Sequence, residues 1–491
     1  MPPGGAPGSA LSTADLAYTD GLSAFWYYGA PVLIATFLMI VGAKAIRRVG
    51  YLTQGKMMAA RYSEGVSKVL SVMILIFMTF SAASQMVGIG DFFGTYLGLD
   101  YELAVLAGTG IVLIYSLFGG FRGVVLTDII QFVLLVLSAV LVFITALTRA
   151  GGLAPIAAAA AAAGKDGYMD ITSGTSRYAM YIITFGCAWM IQANVWQRIS
   201  AARTDRDARK MTVLSFFAYI PLYLIVVLTG MAGLVLFPTL PQGGVVTAVV
   251  VNYLPPVLGA IAFVGISAAV MSTMDSLINT GAMTLALDLN TKEQDENKKL
   301  RFSRAATLLV TVCALLITLG VRSILQISWM ASDVITTGVF VPLVAGFVWR
   351  RGNAPGAMAS MVVGLSYCLY NLLISAGLPP PSFWAAQSAQ QVILGVSLSA
   401  AVYVAVSLCT KPDYENTDAF IAAANLLGRQ KRPPAAGVKM PREKPGRPFV
   451  ETLPHKTEPI PLFVLYGKGC AKPWKKNWIC SCWKKGCCSA T

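Results

Sequence analysis

The chain has 491 residues, of which 56% are hydrophobic and only 12% charged, and its mean hydropathy is +0.65. Those values exclude a soluble globular protein. The formal net charge of +15 is compatible with a nucleic-acid partner. However, the excess basic residues sit in short loops and the C-terminal tail, which fits membrane orientation and argues for no nucleic acid.

Residues 1–11 are rich in Gly, Pro and Ser and carry neither a basic n-region nor an apolar h-region, so no signal peptide is expected there. Apolar runs follow at 21–43, 67–90, 101–118, 124–147, 177–196, 212–237, 257–287, 303–321, 324–349, 357–377 and 385–409. They predict eleven membrane helices. The loops 44–68, 119–123, 197–210, 288–304 and 349–352 are basic-rich and alternate with poor ones, and loop 238–256 has no charge. This pattern places the C-terminus in the cytoplasm of a multi-pass cell-membrane protein and, with eleven spans, the N-terminus outside. Residues 153–164 include seven consecutive alanines and predict a short external helix or linker.

The stretch Gly265–Leu289, GISAAVMSTMDSLINTGAMTLALDL, continues an apolar run from about Val257. It brings Ser272, Thr273, Asp275, Ser276 and Asn279 to mid-membrane. A carboxylate at that depth costs about 2.5–3.5 kcal/mol on insertion scales, so Asp275 needs a partner, water or an ion. Two hydroxyls beside a helix carbonyl supply hard oxygen ligands for a small cation without adding charge. The competing reading is that the hydroxyls bond back to their own helix. Asp333 is a second intramembrane acid, either structural or on a permeation path. Cys187, Cys313, Cys368 and Cys409 lie in apolar helices as packing residues. The only histidine is His455, and no nucleophile–base pair or metal cluster appears, so no enzyme and no cofactor are expected.

Residues 411–491 read as a basic cytoplasmic tail, with 430–460 rich in Pro, Lys and Arg and expected to be disordered. The closing KPWKKNWICSCWKKGCCSAT has three readings: a basic-aromatic membrane-surface segment, a cysteine cluster for metal or palmitate, or out-of-frame sequence. Its C-x-C and CC spacing is poor for metal.

AAVMSTMDSLIN (268–279), GGFRGVVLTDIIQ (119–131), WMIQANVWQRISAARTDRDARK (189–210), FVWRRGNAPGA (347–357) and VSLCTKPDYENTDAF (406–420) occur in one order. Together they resemble the sodium/solute symporter family over roughly residues 10 to 420. The resemblance implies an all-α integral membrane protein, an inverted-repeat (LeuT-type) helix bundle. This chain would carry four helices of the first five-helix repeat and all of the second. It further implies sodium-coupled symport of a small organic solute by alternating access, with Na+ as coupling ion. A non-transporting membrane module, sensor-like or inert, is the alternative. A sensor would carry a globular signalling domain after 410, which the composition there argues against. In the family, two helices precede this point and the second is broken. The expectation is therefore a fragment or misplaced start that lacks the first core helix, with a natural short form as the alternative.

Residue by residue, the resemblance assigns sodium to the Ala269 carbonyl, Ser272 and Thr273, which share one helical face. It assigns a second ion or the exit path to Asp128 and Asp275. The alternative for Asp128 is a helix N-terminus whose dipole favours an acid. Asp20 and Ser23 match a solute-contacting position, with a solvated helix start as the alternative, and Trp189 and Gln192 match the gate. Trp329 stands where sugar carriers have a glutamine, Tyr219 where they have a lysine, and Ala188 where the gate tyrosine belongs. Hydroxyl-rich sugars need many buried partners, so these departures put sugar specificity in doubt and imply a more apolar pocket.

Overall fold

The computed structural model describes residues 8–290, 296–375 and 388–426, all within one compact unit covering residues 1–438. The expected disordered stretch 430–460 and the cysteine-rich segment lie outside the described residues. Every regular element among the described residues is helical.

Helix α1 (Gly8–Asp20) leads through a 3-10 turn, Gly21–Trp26, into α2 (Gly29–Val49). The expected run 21–43 is therefore interrupted near its start. The cause is a close approach: Gly21 has φ +68°, and a side chain there would strike the Tyr168 backbone carbonyl. That carbonyl accepts from Leu22 N at 2.8 Å. Helix α2 ends on Arg47 and Arg48 with Gly50 at φ 81°, the left-handed cap that releases the chain into a short connector.

The connector is α3 (Gln54–Arg61), capped by Thr53, and α4 (Glu64–Leu97) follows, capped by Ser63. Helix α5 (Tyr101–Arg149) has 49 residues, about 74 Å at 1.5 Å per residue, more than twice the hydrocarbon thickness. Its halves serve as two packing elements. Tyr115 and Ser116 bond α11 (Pro256–Thr284) at Met271 and Asp275, whereas Ser138 bonds it at Ile261. Both halves thus bond α11, and their contacts run antiparallel along it.

Next come α6 (Leu153–Ala162), α7 (Thr175–Met190), α8 (Ala193–Ser200), α9 (Asp205–Leu236) and α10 (Val245–Tyr253). The alanine-rich segment is helical as expected. The single run expected at 177–196 is instead two helices, α7 and α8, separated at Ile191–Gln192. Beyond α11 a π-helical turn, Leu285–Leu289, precedes α12 (Glu296–Gly320), α13 (Ile324–Gly338), α14 (Phe340–Val348), α15 (Ala354–Ser375) and α16 (Ser388–Cys409). A last helix, α17 (Tyr414–Ala424), begins just past the boundary expected at 410. Its Thr417 and Phe420 are buried against Arg61 and Phe347.

Among the described residues, eight helical stretches are long and apolar enough to cross a membrane. The count of eleven is not reproduced by that measure. The first half of α5 is too short for it, the break leaves α7 with 16 residues, and α15, the run expected at 357–377, is not among the eight. Helix α11 forms the core, enclosed by α4, α5 and α12. Outward faces carry large apolar side chains, such as Ile129, Ile130, Phe132 and Val133 on α5 and Leu308, Leu309 and Leu316 on α12. Only hydrocarbon satisfies such a surface.

Three glycines set backbone against backbone. A Cβ at Gly265 of α11 would stand 2.5 Å from Leu134 O of α5. One at Gly230 of α9 would strike Ala14 O of α1, and one at Gly364 of α15 would strike Thr337 O of α13.

Among the described residues, Arg61 heads the fully buried side chains by size, 2% exposed at the end of α3. Its guanidinium donates to Gly346 O (2.8 Å), Thr417 Oγ1 (2.9 Å), Trp349 O (3.1 Å) and Gly352 O (3.0 Å). It thus caps the carbonyls at the end of α14. Arg61→Met should destabilise the protein by about 3 kcal/mol, because those acceptors lose their donor. Arg61→Lys should recover little, since an ammonium lacks the planar fork. Thermal unfolding in detergent reads both, and an Arg61→Lys variant that melts at the same temperature as the unsubstituted protein would contradict this account.

Candidate functional site

Midway along α11, three oxygens gather on one face. Ser272 Oγ donates to Ala269 O at 2.9 Å and Thr273 Oγ1 donates to the same carbonyl at 3.2 Å. The i, i+3, i+4 spacing dictates this: successive turns stack these side chains over one carbonyl. The hydroxyls do bond back to their helix, and in doing so they assemble a compact set of neutral hard oxygens.

One turn on, Asp275 is fully buried and accepts a short hydrogen bond from Ser116 Oγ of α5. Its Oδ2 has no partner among the described residues. Asp128 lies on the second half of α5, where the helix is continuous, so no free N-terminus explains its presence. Its partner is Arg198 of α8 at 2.5 Å, and Arg198 also donates to Ser276 Oγ at 2.6 Å. One guanidinium thereby joins α5, α8 and α11. Asn279, one turn beyond Asp275, donates to Met283 Sδ at 3.8 Å.

The break between α7 and α8 frees carbonyls that would be costly in hydrocarbon. Gln54 Nε2 of α3 donates to Ile191 O at 2.8 Å, and Trp196 Nε1 donates to Met190 O at 2.8 Å. The sequence held a signal for this break, since Gln192 and Asn194 interrupt an otherwise apolar run. Gln54 itself carried none.

A cavity of about 50 Å³ adjoins the break and the hydroxyl face. Thr273 and Leu277 of α11 face Trp189, Gln192 and Ala188 across it, and Ser81, Ser84 and Gln85 of α4 and Ser328 and Ser332 of α13 complete its polar wall. No charged side chain is among its lining. Gln85 Oε1, Gln192 Oε1 and Ser328 Oγ are buried without partners among the described residues. Trp189 packs edge-on to Tyr219 at 6.3 Å. Trp329, between the two lining serines in sequence, stacks on Tyr181 at 6.4 Å.

Asp20 and Ser23 stand apart from this cavity. Asp20 pairs with Arg177 at 3.0 Å and accepts a short bond from Tyr178 OH, while Ser23 Oγ donates to Asp20 O at 2.9 Å. Tyr178, Tyr181 and Phe185 run down one face of α7 from that cluster to the cavity, all packed around Tyr27. Asp333 lies one turn beyond Trp329 and forms no ion pair among the described residues. Among the described residues, no group of three or more His, Cys, Asp or Glu is placed to hold a metal.

The model of the Sodium:solute symporter family matches residues 8–364. The chain is 27% identical over 384 residues to the osmoregulated proline transporter OpuE of Bacillus subtilis, covering 76% of each. It is 26% identical over 382 residues to a sodium/pantothenate symporter of Haemophilus influenzae, covering 73% of this chain and 77% of the relative. A sodium/glucose cotransporter of Vibrio parahaemolyticus is 21% identical, over 67% and 68%. Among solved structures, a substrate-bound, outward-open Na+-coupled sialic acid symporter superposes with TM-score 0.68 at 18% identity, covering 82% of this chain and 87% of that one. That superposition carries the expected all-α inverted-repeat, LeuT-type fold.

Arg198→Gln should cost about 1–3 kcal/mol of stability, a buried-pair figure reduced because the two side chains are 31% and 24% exposed. Asp128→Asn made in addition should recover most of it. A double-mutant cycle by thermal unfolding checks this, and additive effects would remove the pairing.

Proposed function

The chain belongs to the sodium:solute symporter family, a multi-pass membrane transporter rather than an enzyme, and we propose how its sodium-coupled symport is built. Sodium binds at the Ala269 carbonyl, Ser272 Oγ and Thr273 Oγ1. The observation that carries this reading is the convergence of both hydroxyls on one carbonyl at mid-helix, beside the cavity. Asp275, with an unpartnered carboxylate oxygen, and Asp128 lie one turn further along the same route. They offer a departing or second cation its next ligands.

The solute occupies the cavity beside Thr273. An uncharged lining of hydroxyls, amides and aromatic rings suits a small neutral or zwitterionic solute with an apolar face. Trp189 and Gln192, at the break, form its movable wall. Asp20 and Ser23 stand at the mouth of the route, where the aromatic face of α7 leads inward. Sodium enters first and favours the state open to the outside, the solute follows, and the bundle reopens to the cytoplasm. The side bearing Arg47, Arg48, Arg203, Arg350 and Arg351 is cytoplasmic, as the basic loops favour. One sodium charge moving through 100 mV supplies about 2.3 kcal/mol.

Ser272→Ala combined with Thr273→Ala should raise the sodium concentration for half-maximal uptake at least about tenfold, the factor for one lost ligand interaction of ordinary strength. Protein level should change little. Uptake into proteoliposomes at graded sodium measures it, and unchanged sodium dependence would remove the ion role. Trp329→Gln should shift preference toward hydroxylated solutes; an unaltered ranking across a solute panel would separate Trp329 from selectivity.

A further inference from the structure

The connector α3 makes contacts that neither the sodium site nor the cavity uses. At its start, Thr53 and Gln54 are buried, 1% and 2% exposed. Thr53 Oγ1 donates to Asp288 Oδ1 at 2.5 Å, and Ser71 Oγ of α4 donates to the other carboxylate oxygen at 3.4 Å. Gln54 Nε2 donates to Ile191 O at the α7/α8 break. Adjacent residues therefore hold the end of the sodium-bearing helix and the interruption beside the cavity. There is no slack between them. A Cβ at Gly55 would stand 2.5 Å from Asp288 Oδ2.

The two ends of α3 are held differently. Arg61 is fixed by four acceptors, and Tyr62 OH donates to Pro342 O at 2.8 Å. The start is held by single hydrogen bonds, Gln54 Oε1 is buried without a partner among the described residues, and the positive-φ Gly50 precedes it. Such an element pivots at Arg61 and releases at Thr53. On α11 and the π-helical turn that follows it, Thr273, Leu277, Thr280, Thr284 and Asp288 recur at i, i+4, i+7, i+11 and i+15, one stripe from the cavity to this contact. Thr273 and Leu277 line the cavity, and Thr280 bonds Gln197 of α8 at 3.1 Å. Thr284 and Asp288, 2% and 4% exposed, carry the stripe on to the contact with α3.

We propose that α3 is a latch: the Thr53–Asp288 and Gln54–Ile191 bonds shut this end of the bundle and break each time the cavity opens toward it, with Arg61 as the fixed pivot. Thr53 and Gln54 are positioning residues that touch neither sodium nor solute. The 21-residue α2, about 31 Å long, separates this end from the Asp20–Ser23 cluster, so the latch acts across the membrane from the other mouth. The proposal rests on the transport reading above.

The test is peptide-resolved labelling of single introduced cysteines by a membrane-impermeant maleimide, with the protein in nanodiscs. Thr284→Cys reports the latch end and Ser23→Cys the opposite mouth. In Thr53→Val/Gln54→Leu, labelling at position 284 should rise about tenfold, the effect of losing two interhelical bonds, while labelling at position 23 falls. Thr53→Ser, which keeps the hydroxyl, should label at the original rates. Unchanged rates overturn the latch, and so does a rise at both positions, which would mean general loosening. If the double variant does not elute as one species, Thr53→Val alone is judged by the same criteria. Labelling needs no transport, so failure here is distinct from failure of the symport reading, which the sodium dependence of uptake decides.

Discussion

A polar atom inside hydrocarbon has no water to turn to, so each one must be matched by another part of the protein. That constraint decides where this bundle can be irregular. The chain leaves α-helical geometry at Ile191 because Gln54 and the Trp196 indole are there to take the released carbonyls. Likewise the side-chain hydroxyls of α11 fall back on Ala269 O, and the Asp275 carboxylate on Ser116. The cavity lies where these compensations coincide. Shift the break by one turn and the donors no longer reach.

The same reasoning organises charge. Arg198 and Asp128 form an ion pair, whereas Asp275, within a turn of the α11 hydroxyls in sequence, forms no ion pair among the described residues. The cavity lining is uncharged, and Thr273 belongs both to it and to the hydroxyl face of α11.

Much of this could be read from residue order, for identifiable reasons. The hydroxyl face of α11 was legible because helical spacing alone brings residues 269, 272 and 273 together. The membrane-spanning character of the helices was legible because hydrophobic length is a one-dimensional property, although the count of eleven was not reproduced. The interruption at Ile191 was missed because Trp189 to Trp196 remains apolar on average, and the donors that permit the break come from α3 and α8. The pairing of Asp128 with Arg198 spans 70 residues, and that of Thr53 with Asp288 spans 235. No local pattern encodes such pairs. Asp20 was expected near the solute, but it sits with Arg177 and Tyr178 at one end of the aromatic face. Periodicity places a residue on a helix; it does not say which neighbour will stand opposite.

The glycine contacts carry a mechanical consequence. Where Gly230 meets α1 and Gly364 meets α13, the nearest atoms across the seam are main-chain ones, with no side chain to change rotamer. Sliding along such a seam would drive atoms into van der Waals overlap, so each pair has few internal degrees of freedom and behaves as a stiff beam. Strain applied at one point of the bundle then cannot dissipate gradually along its length. It concentrates where helical geometry is interrupted, as at Ile191–Gln192 and the Gly50 turn, and motion there is closer to a hinge than to a bending rod.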